Sequence, residues 1–436
     1  MGEARPLADP AREVERALDQ PLGCATLEAI ARERLRADPG AGAVVVISDN
    51  TRPVPYRGEG GILWPVLRRL LATGLPARRI LVLVATGTHA PLPEREIARL
   101  LDPRVAEAGI QVRNHDSRDA GQLAHLGRTS RGEEVYLNRA YLEAGIRVLT
   151  GLVESHFVAG VSGGRKSICP GLIGERTTYR FHGAEMIAAE GARDLNLEGN
   201  PCHEEALEVA RMAGADFIVN ATLDKNLRLT GVFAGHLEKA HQAAFAHLAG
   251  YVRVPCARAY DAVVTHGGYV GINHYQAVKA ALAALPAAGP GGRILLVAAN
   301  TDTDPIGSSR YRSVLGLLTQ IGAEAFRRLI FSPDWTFIPE QWEVQAWARV
   351  LEKVGPEGLT YYSPQMSAAD CRYLPGVDGN RFLPESWRYR REPANVQRVL
   401  DAFLREAGAD CGRRLGREPR VAFLADGPYG ILTAGV

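Results

Sequence analysis

Short apolar runs alternate with longer amphipathic stretches along most of the chain, and this alternation restricts the possible folds more than any other feature. The short runs are rich in Val, Ile and Leu, and the pattern is typical of βα units around a largely parallel sheet. The predicted strands are Ala43–Ser48, Ile80–Ala85, Arg147–Leu152, Phe217–Asn220, Ala262–Thr265, Ile294–Ala298, Leu359–Tyr362 and Val421–Leu424. The predicted helices are Leu63–Thr73, Glu204–Met212, Glu238–Tyr251, Gln276–Leu285, Trp342–Val354 and Val396–Ala407.

A chain of 436 residues is long enough for more than one such layer, and we predict two α/β domains with an active-site cleft between them. A boundary is expected near Val252–Tyr260, where a long helix ends and a new strand–loop–helix series begins. The predicted N-terminal domain comprises residues 1–257 together with 415–436, and the C-terminal α/β domain comprises residues 258–414. Ligands commonly bind in clefts of this kind.

Charge and cysteine usage exclude several classes of protein. Lys and Arg number 51 against 49 Asp and Glu, without a charged block, so we expect no nucleic-acid partner. The longest apolar runs fall far short of the roughly 20 residues of a membrane helix, and the N-terminus has no signal-peptide core. The six cysteines include no CxxC pair and are predicted to be reduced thiols. We therefore expect a cytoplasmic enzyme or binding protein without a membrane partner.

Polar side chains follow the first two predicted strands. Asp49 and Arg52 come after the first strand, and the guanidinium of Arg52 is suited to bind a carboxylate or a phosphate. An Asp–Arg pair that only shapes the turn is the alternative. His89 follows the second strand, and because a lone histidine in a loop is usually an ordinary surface residue, that is its alternative interpretation. His115 is predicted to have a supporting or structural role.

The segment from residue 154 to residue 174 is rich in Gly, His and Lys and nearly matches the phosphate-binding pattern GxxxxGK[ST]. Arg165 stands where that pattern requires the glycine before Lys166, and a bulky side chain there obstructs the tight turn that cradles phosphates. Gly163 and Gly164 are nevertheless expected to expose amides beside the Arg–Lys pair, which suits a single phosphate or another anion.

His156, Lys166 and His182 belong to one contiguous stretch and can converge on a shared site. A glycine-rich connector with incidental histidines is the alternative. Histidine spacing predicts no metal site by itself, because the sequence contains no HxxxH or HExxH pattern. A metal held by one histidine and a non-protein ligand would escape such spacing rules.

A further polar group opens a predicted helix after the domain boundary. Tyr275 and Lys279 are four residues apart, and Gln276 and Lys279 are three apart, so all three can share one helical face. A phenol, an amide and an ammonium at a helix start form a plausible clamp for a polar acid. An ordinary solvated helical face is the alternative.

Five segments, taken in order, make the chain resemble the lactate racemase family: Asp49–Pro53, Gly87–His89, the segment from His156 to Gly174, His182 and Tyr275–Lys279. The specific part is the segment in which Lys166 follows His156 by ten residues and precedes His182. The helix start at Gln341–Gln345 also resembles a family stretch, in which Trp342 faces the substrate side.

The resemblance implies a nickel-pincer nucleotide, which is a pyridinium-3-thioamide-5-thiocarboxylic acid mononucleotide carrying Ni(II). Lys166 matches the lysine that holds this cofactor through a thioamide, and His182 matches the single protein ligand of nickel. Two sulfurs and a ring carbon of the cofactor complete a square-planar environment, which suits Ni(II). Asp49, Gly163 and Gly164 complete the predicted cofactor site in the N-terminal domain.

The resemblance also implies an isomerase that inverts carbon 2 of lactate or a related 2-hydroxy acid by reversible hydride transfer. Plain deprotonation is difficult beside a carboxylate, whereas loss of hydride gives a planar 2-keto acid. His89 and His156 match the acid/base pair, one for each hand of the substrate. The substrate-binding positions are matched by Arg52, Tyr275, Gln276, Lys279 and Trp342. The implied protein partners are the carboxylase, sulfur insertase and nickel insertase that make the cofactor.

Two other hypotheses remain at this point. A magnesium-dependent enzyme that binds nucleotide phosphates would use the glycine-rich loop at residues 160–167 together with Asp49, and it predicts binding of Mg-ATP. A non-catalytic small-acid binding protein would keep the cleft without an attached cofactor, and it predicts carboxylate binding without turnover.

Overall fold

The structure is a computed structural model that describes Gly2 and residues 4–434. These residues form two compact units. The N-terminal unit comprises residues 4–182 and 186–251, and the C-terminal unit comprises Gly2 with residues 183–185 and 252–434. Each unit is built from α-helices around a mostly parallel sheet, so the predicted α/β class with two domains is confirmed. No helix within the described ranges is long and apolar enough to cross a membrane.

The N-terminal unit contains the elements that precede residue 252. Its strands are β1 (Ala43–Ser48), β2 (Ile80–Ala85), β3 (Gln111–Asn114), β4 (Leu123–Arg128), β5 (Glu134–Asn138), β6 (Ile146–Leu152), β7 (Ser155–His156), β8 (Gly160–Val161), β9 (Phe217–Leu223) and β10 (Leu229–Gly235). Its helices are α1 (Pro10–Asp19), α2 (Leu27–Ala37), α3 (Leu63–Leu71), α4 (Glu94–Leu100), α5 (Arg104–Glu107), α6 (Arg139–Glu143), α7 (Glu175–Phe181), α8 (Ala184–Ala188, which spans the division), α9 (Pro201–Ala213) and α10 (Leu237–Val252).

A six-stranded sheet in the order β10-β9-β6-β1-β2-β3 forms the centre of this unit, and only β10 runs antiparallel to its neighbour. Alternate residues of β1 enter two different apolar clusters, Val45 and Ile47 in one, Val44 and Val46 in the other. The sheet is therefore buried on both faces, which is why its parallel strands read as continuous aliphatic runs.

The C-terminal unit contains the remaining elements. Its strands are β11 (Arg253–Cys256), β12 (Tyr260–His266), β13 (Ala288–Val297), β14 (Leu359–Tyr362), β15 (Val377–Asp378), β16 (Val421–Phe423) and β17 (Ile431–Ala434). Its helices are α11 (His274–Ala284), α12 (Ser309–Ile321), α13 (Ala323–Ile330), α14 (Gln341–Val354), α15 (Ala368–Cys371) and α16 (Ala394–Leu415). A five-stranded parallel sheet has the order β15-β14-β13-β12-β16.

The end of the chain departs from the predicted domain division. Residues 415–434, which we expected to join the N-terminal domain, lie in the C-terminal unit, while residues 435 and 436 lie outside the described residues. The reason is strand pairing: β16 extends the sheet beside β12, and β17 pairs in parallel with β11. The boundary at Val252 lies at the start of the range that the sequence indicated.

Candidate active site

The polar motifs of the N-terminal unit follow parallel strands of its central sheet. Asp49 comes directly after β1, His89 lies in the loop after β2, and Glu154 follows β6. The carboxyl ends of parallel strands meet at one edge of a sheet, and ligand sites of α/β proteins are built there. β6, β1 and β2 are adjacent in the strand order, so this edge gathers the three loops.

Asp49 and His89 form a hydrogen-bonded pair at this edge. Nδ1 of His89 lies 2.7 Å from Oδ2 of Asp49, and the amide and hydroxyl of Thr51 donate to Oδ1 at 3.1 and 2.5 Å. A carboxylate can only accept, so the His89 proton sits on Nδ1 and the ring keeps the lone pair of Nε2. The carboxylate is buried, whereas the side chain of His89 is 59% exposed and available to a ligand.

Burial by itself would raise the pKa of the Asp49 carboxyl. The hydrogen bond from His89, the charge of that ring and the two bonds from Thr51 outweigh burial and place the pKa of Asp49 below its ordinary value. Asp49 is therefore ionised at neutral pH and can stabilise a protonated His89.

Lys166 and His156 form a second pair. Nζ of Lys166 lies 3.4 Å from Nε2 of His156. Burial, followed by the positive charges of Arg165 and Arg52, lowers the pKa of Lys166 from 10.5 to about 7. The amine is thus about half unprotonated at neutral pH, which makes it a nucleophile.

The ring of His156 is held from its other side by backbone amides. β7 and β8 form a tight antiparallel pair, and the amides of Val158 and Ala159 between them lie 3.3 and 3.2 Å from Nδ1 of His156. The imidazole stacks on Phe157, with ring centroids 5.3 Å apart and an interplanar angle of 6°. The hairpin therefore fixes both the position and the orientation of this ring.

His182 caps the C-terminal end of α7. Its Nδ1 lies 2.8 Å from the carbonyl oxygen of Thr178, an obligate acceptor, so Nδ1 carries the proton and Nε2 keeps a lone pair. Burial lowers the pKa of His182 to about 4; the Thr178 bond opposes this, and the charges of Lys166 and His89 add to it. A neutral imidazole whose second nitrogen donates to a backbone carbonyl is the usual form of a metal-binding histidine.

No group of three His, Cys, Asp or Glu side chains that could hold a metal ion is found in the part of the chain that the structure describes. Spacing rules that look for several protein ligands therefore have nothing to detect here, and the metal-binding role of His182 stays a prediction.

The glycine-rich loop is packed more closely than we expected. Gly163 and Gly164 have φ of +72° and +52°, and a Cβ on Gly163 would lie 2.6 Å from Cγ2 of Val153. Both residues are buried, and the amide of Gly164 donates to Oδ1 of Asn220 at 3.1 Å. The expectation of exposed amides is therefore wrong for Gly164, because a neighbouring side chain already accepts its hydrogen. The roles of the two glycines in cofactor binding stay predictions.

Arg165 and Arg52 have different surroundings although both are cations of this region. Arg165 is buried beneath the loop, where its guanidinium donates to the carbonyl of Ala159 at 2.7 Å. Arg52 is partly exposed, and its Nε lies 3.1 Å from a carboxylate oxygen of Glu154. Arg52 thus forms its ion pair with Glu154, whereas the carboxylate of Asp49 accepts from Thr51 and His89. Sequence reasoning missed Glu154 because an ion pair across a hundred residues leaves no local signal.

The predicted clamp of the C-terminal unit lies at the start of α11. The side chain of Asn273 caps this helix by accepting from the amide of Gln276 at 2.9 Å. Lys279 donates to the side-chain oxygen of Gln276, which confirms that these residues share a helical face. Nε1 of Trp342, on α14, donates to the hydroxyl of Tyr275 at 2.9 Å. Burial raises the pKa of Tyr275 well above its ordinary value, so its phenol stays neutral.

The structure therefore assembles the predicted residues into two groups. Asp49, Arg52, His89, His156, Gly163, Gly164, Lys166 and His182 belong to the N-terminal unit, and Tyr275, Gln276, Lys279 and Trp342 belong to the C-terminal unit. The active-site cleft between the domains stays a prediction. His115, by contrast, has no exposed surface. Its Nε2 lies 3.1 Å from the carbonyl oxygen of Ile173 and its Nδ1 lies 3.1 Å from the side-chain amide nitrogen of Asn138, which favours the structural of its two predicted roles.

Comparison with known proteins places the chain in a family. A family model described as the lactate racemase N-terminal domain matches residues 1–194, and one described as the lactate racemase C-terminal domain matches residues 254–356. A lactate racemase from Lactiplantibacillus plantarum is 34% identical over 339 residues, which cover 78% of this chain and 77% of that protein. A lactate racemase from Thermoanaerobacterium thermosaccharolyticum is 31% identical over 339 residues, covering 78% and 76%.

A solved structure agrees with this assignment. The structure of the lactate racemase apoprotein from T. thermosaccharolyticum has a TM-score of 0.81 and 26% identity, and the match covers 99% of this chain and 95% of that one. A crystal structure from Thermotoga maritima shares the fold, with a TM-score of 0.61 at 16% identity over 95% of this chain and 100% of that one. With identities above 30% to curated lactate racemases across most of their length, the chain belongs to the lactate racemase family.

Proposed function

We propose that the chain is a nickel-dependent racemase or epimerase that inverts carbon 2 of a short 2-hydroxy acid, with lactate as the first candidate. Lactate is the substrate in the names of its relatives. The observation that carries the proposal is the environment of Lys166, whose enclosed, readily deprotonated amine lies beside His156 and acts electrostatically on the ring of His182.

The residues present fit the nickel-pincer nucleotide. Lys166 would hold it covalently, because its amine is nucleophilic near neutral pH. His182 would ligate Ni(II) through Nε2, the nitrogen that the Thr178 carbonyl leaves with a lone pair. Asp49 and the two glycines at 163 and 164 would lie beside the group. When bound, the cofactor supplies an acceptor for the hydrogen of carbon 2 together with its electron pair.

The remaining residues bind the substrate and handle its hydroxyl proton. His89 is suited to accept that proton at Nε2, since the ionised Asp49 would stabilise the resulting imidazolium. His156 is the second group of the pair. Arg52 and Lys279 would bind the substrate carboxylate, and Tyr275, Gln276 and Trp342 would complete the polar clamp. Pinning the carboxylate would retain the keto form while the rest of the molecule rotates about it, so that either face can regain the hydrogen.

A direct test compares wild-type protein, a Lys166→Ala variant and a Lys225→Ala control, each co-expressed with the carboxylase, sulfur insertase and nickel insertase. Lys225 is exposed and lies far along the chain from the loop. We expect wild type and control to carry one covalent nucleotide-sized adduct in intact-protein mass spectrometry and to racemise L-lactate in a chiral assay. Lys166→Ala should lack both the adduct and the activity.

A full adduct on Lys166→Ala would refute the assignment of the tether. Loaded wild-type protein that binds 2-hydroxy acids without racemising a panel of them would favour the small-acid binding protein instead. Binding of Mg-ATP would favour the phosphate-binding alternative. Protein made without the three maturation enzymes should carry no adduct and no nickel, and it should be inactive. A substrate labelled with deuterium at carbon 2 should largely retain the label, because hydride transfer does not release it to water.

A further inference from the structure

We propose that a cavity beneath the glycine-rich loop is a second ligand site, which binds a small aliphatic monocarboxylate through Arg165. The cavity has a volume of about 200 Å³, and all the residues that line it belong to the N-terminal unit. The inference does not depend on the proposed function, because it uses none of the residues assigned to the cofactor or to the substrate.

The cavity lies between the loop and two helices. His203 and Leu207 lie one turn apart on α9, and His241 lies one turn after Leu237 on α10. The loop packs directly on α10, since a Cβ on Gly164 would lie 2.7 Å from Cδ2 of His241. The two histidines and Arg165 therefore contribute polar atoms to a space that is otherwise lined partly by leucines.

Arg165 and Lys166 are consecutive residues but have different neighbours. Both belong to a short 3₁₀ helix at residues 164–167, in which consecutive side chains diverge by about 120°. Nζ of Lys166 lies 3.4 Å from Nε2 of His156, whereas Nη1 of Arg165 lies 3.0 Å from Nε2 of His241 on α10. The cation of the cavity is therefore separate from the amine that is predicted to hold the cofactor.

The guanidinium of Arg165 has more hydrogens to donate than its neighbours can accept. Its Nη2 donates to the carbonyl of Ala159 at 2.7 Å, its Nη1 lies 3.5 Å from the carbonyl oxygen of Gly163, and its buried Nε has no hydrogen-bond partner among the described residues. Nε2 of His241 lies 3.0 Å from both Nη1 of Arg165 and the carbonyl oxygen of Ser162. One ring nitrogen cannot accept from the first and donate to the second, so one of these contacts stays unsatisfied. An anion in the cavity would supply the missing acceptors.

Arg165 also lacks a compensating charge. No carboxylate in the described part of the chain pairs with it, although its side chain is only 1% exposed. Burial lowers the pKa of Arg165 to about 9, so the group still carries its charge at neutral pH. Burial, followed by the charge of Arg165, lowers the pKa of His203 to about 4 and that of His241 to about 3, so both rings are neutral. The cavity therefore contains one buried positive charge, which a bound anion would neutralise.

The rest of the lining selects among anions. Its apolar wall consists of Leu197, Leu207 and Leu237. Glu198 is exposed, and Glu238 is paired with Arg211 at 2.7 Å. A single buried cation beside two carboxylates disfavours a multivalent anion such as phosphate, while the leucines favour a hydrocarbon chain. A cavity of about 150 Å³ can hold a benzene-sized molecule, so the space here suits an acid of about three to six carbons.

The direct measurement is a titration of cofactor-free protein labelled with ¹³C-histidine. We expect butanoate to shift the ring signals of His203, assigned by their loss in His203→Gln, with a Kd of about 1 mM. Butylamine, a cation of similar size, should leave these signals unchanged, and inorganic phosphate should bind at least about 10-fold more weakly. L-Lactate is the second acid: a saturable shift extends the site to 2-hydroxy acids, and none restricts it to acids without the hydroxyl.

Binding in the cavity must be separated from binding at the predicted substrate site. Arg52→Ala combined with Lys279→Met removes both cations predicted to bind the substrate carboxylate, and the shift of His203 should persist in this variant. Arg165→Met should weaken butanoate binding by about 10- to 100-fold, as for loss of a charged hydrogen bond. Arg95→Met, at an exposed arginine of the same unit, is the control and should not change it.

A second variant tests the cavity without removing the buried cation. Leu207→Phe fills the space from α9 and should abolish the butanoate shift, whereas Leu100→Phe, at another partly buried leucine of a helix, should leave it intact. Circular dichroism and Tm check the folding of every variant. If Arg165→Met does not fold, Leu207→Phe and its control still decide the question.

Several results would overturn the proposal. These are a His203 signal that does not respond to butanoate, an equal response to butylamine, or an unchanged response in Leu207→Phe. Tighter binding of phosphate than of butanoate would also contradict it. Loss of the response in the variant that lacks Arg52 and Lys279 would place the binding at the predicted substrate site instead. Racemase activity is not measured here, so a failure of the proposed function would leave these results unaffected.

Discussion

The two units of the molecule differ in how they prepare their polar groups. In the N-terminal unit, burial and neighbouring charges shift the pKa values of Asp49, Lys166 and His182 away from their ordinary ranges. Such groups are prepared to exchange protons, act as nucleophiles or bind metals. In the C-terminal unit, the neutral phenol of Tyr275 and the amide of Gln276 provide hydrogen bonds but no proton transfer near neutral pH. We therefore propose that one unit carries the reactivity and the other the recognition of the acid.

The support beneath the two groups differs in the same way. The reactive groups are held by directed hydrogen bonds, such as the contact of His182 with the backbone carbonyl of Thr178 in α7. The start of α11 instead lies on packed aromatic rings. His274 stacks on Trp347 with centroids 4.5 Å apart, and Tyr275 packs edge-on against Tyr311 at 5.1 Å. Loss of a support should therefore change chemistry in the first unit and affinity in the second.

The largest expected effect tests the reactive side of this comparison. Asp49→Asn removes the charge that stabilises a protonated His89 and also permits the wrong ring tautomer. We expect kcat for lactate racemisation to fall by about 10²- to 10⁴-fold with little change in KM. For Thr51→Val, which removes only one of the hydrogen bonds to Asp49, we expect a much smaller fall in kcat. A change confined to KM would place Asp49 in substrate binding instead.

Substitutions in the predicted carboxylate clamp should instead change KM and leave kcat largely unchanged. Lys279→Met removes a cation from the predicted carboxylate clamp, and a charged hydrogen bond contributes about 1.5–3 kcal/mol. We expect KM for lactate to rise by about 10- to 100-fold while kcat changes far less. Steady-state kinetics in both directions measure this division, and a loss of kcat without a change in KM would contradict the comparison.

The buried lysine also predicts a pH-dependent stability. Because the pKa of Lys166 is about 7 in the fold and about 10.5 ordinarily, the unfolded chain binds its proton more tightly than the folded chain does. The charged lysine therefore destabilises the fold fully below pH 7, and the cost disappears as the pH approaches 10.5.

Replacing Lys166 by Met in the cofactor-free protein should raise Tm by about 2–4 °C or more at pH 6, with a smaller gain at pH 10. Differential scanning calorimetry at both values measures the difference. The exposed Lys225→Met control should change Tm equally at the two pH values. A gain that does not depend on pH would show that the proton plays no part.

The smallest expected effect concerns the cap of α11. Asn273→Ala removes the side-chain acceptor for the amide of Gln276 and should destabilise this helix by about 1 kcal/mol. Hydrogen exchange of the amides in the first turn of α11 should accelerate, while the amides of β7 and β8 in the other unit stay unchanged. Equal acceleration in both units would mean that the substitution destabilises more than the local helix start.

The elements of the fold were largely predictable. The predicted strand Ala43–Ser48 has the bounds of β1, and the predicted helix Trp342–Val354 lies within α14. The placement of residues 415–434 was not predictable, because the edge strand β16 is three residues long and its partner β12 lies far away in sequence. Short edge strands carry too little periodicity to reveal which sheet they join.

The candidate site divides in the same manner. The residue types at the sheet edge, the His156 and Lys166 pair and the shared face of Gln276 and Lys279 were available from spacing. The ion-pair partner of Arg52 and the hydrogen-bond acceptor of Gly164 could not be predicted from spacing. Glu154 and Asn220 are distant in sequence from these residues, and only the tertiary fold brings them into contact.

The sequence by itself determined which reactive side chains the protein has. It also determined at which strand ends and helix starts they lie, because local periodicity encodes secondary structure. Only the tertiary structure decided which group faces each histidine ring: a carboxylate at His89, a backbone carbonyl at His182 and two backbone amides at His156. Packing of distant or looped segments brings those groups into place, and local periodicity does not encode it.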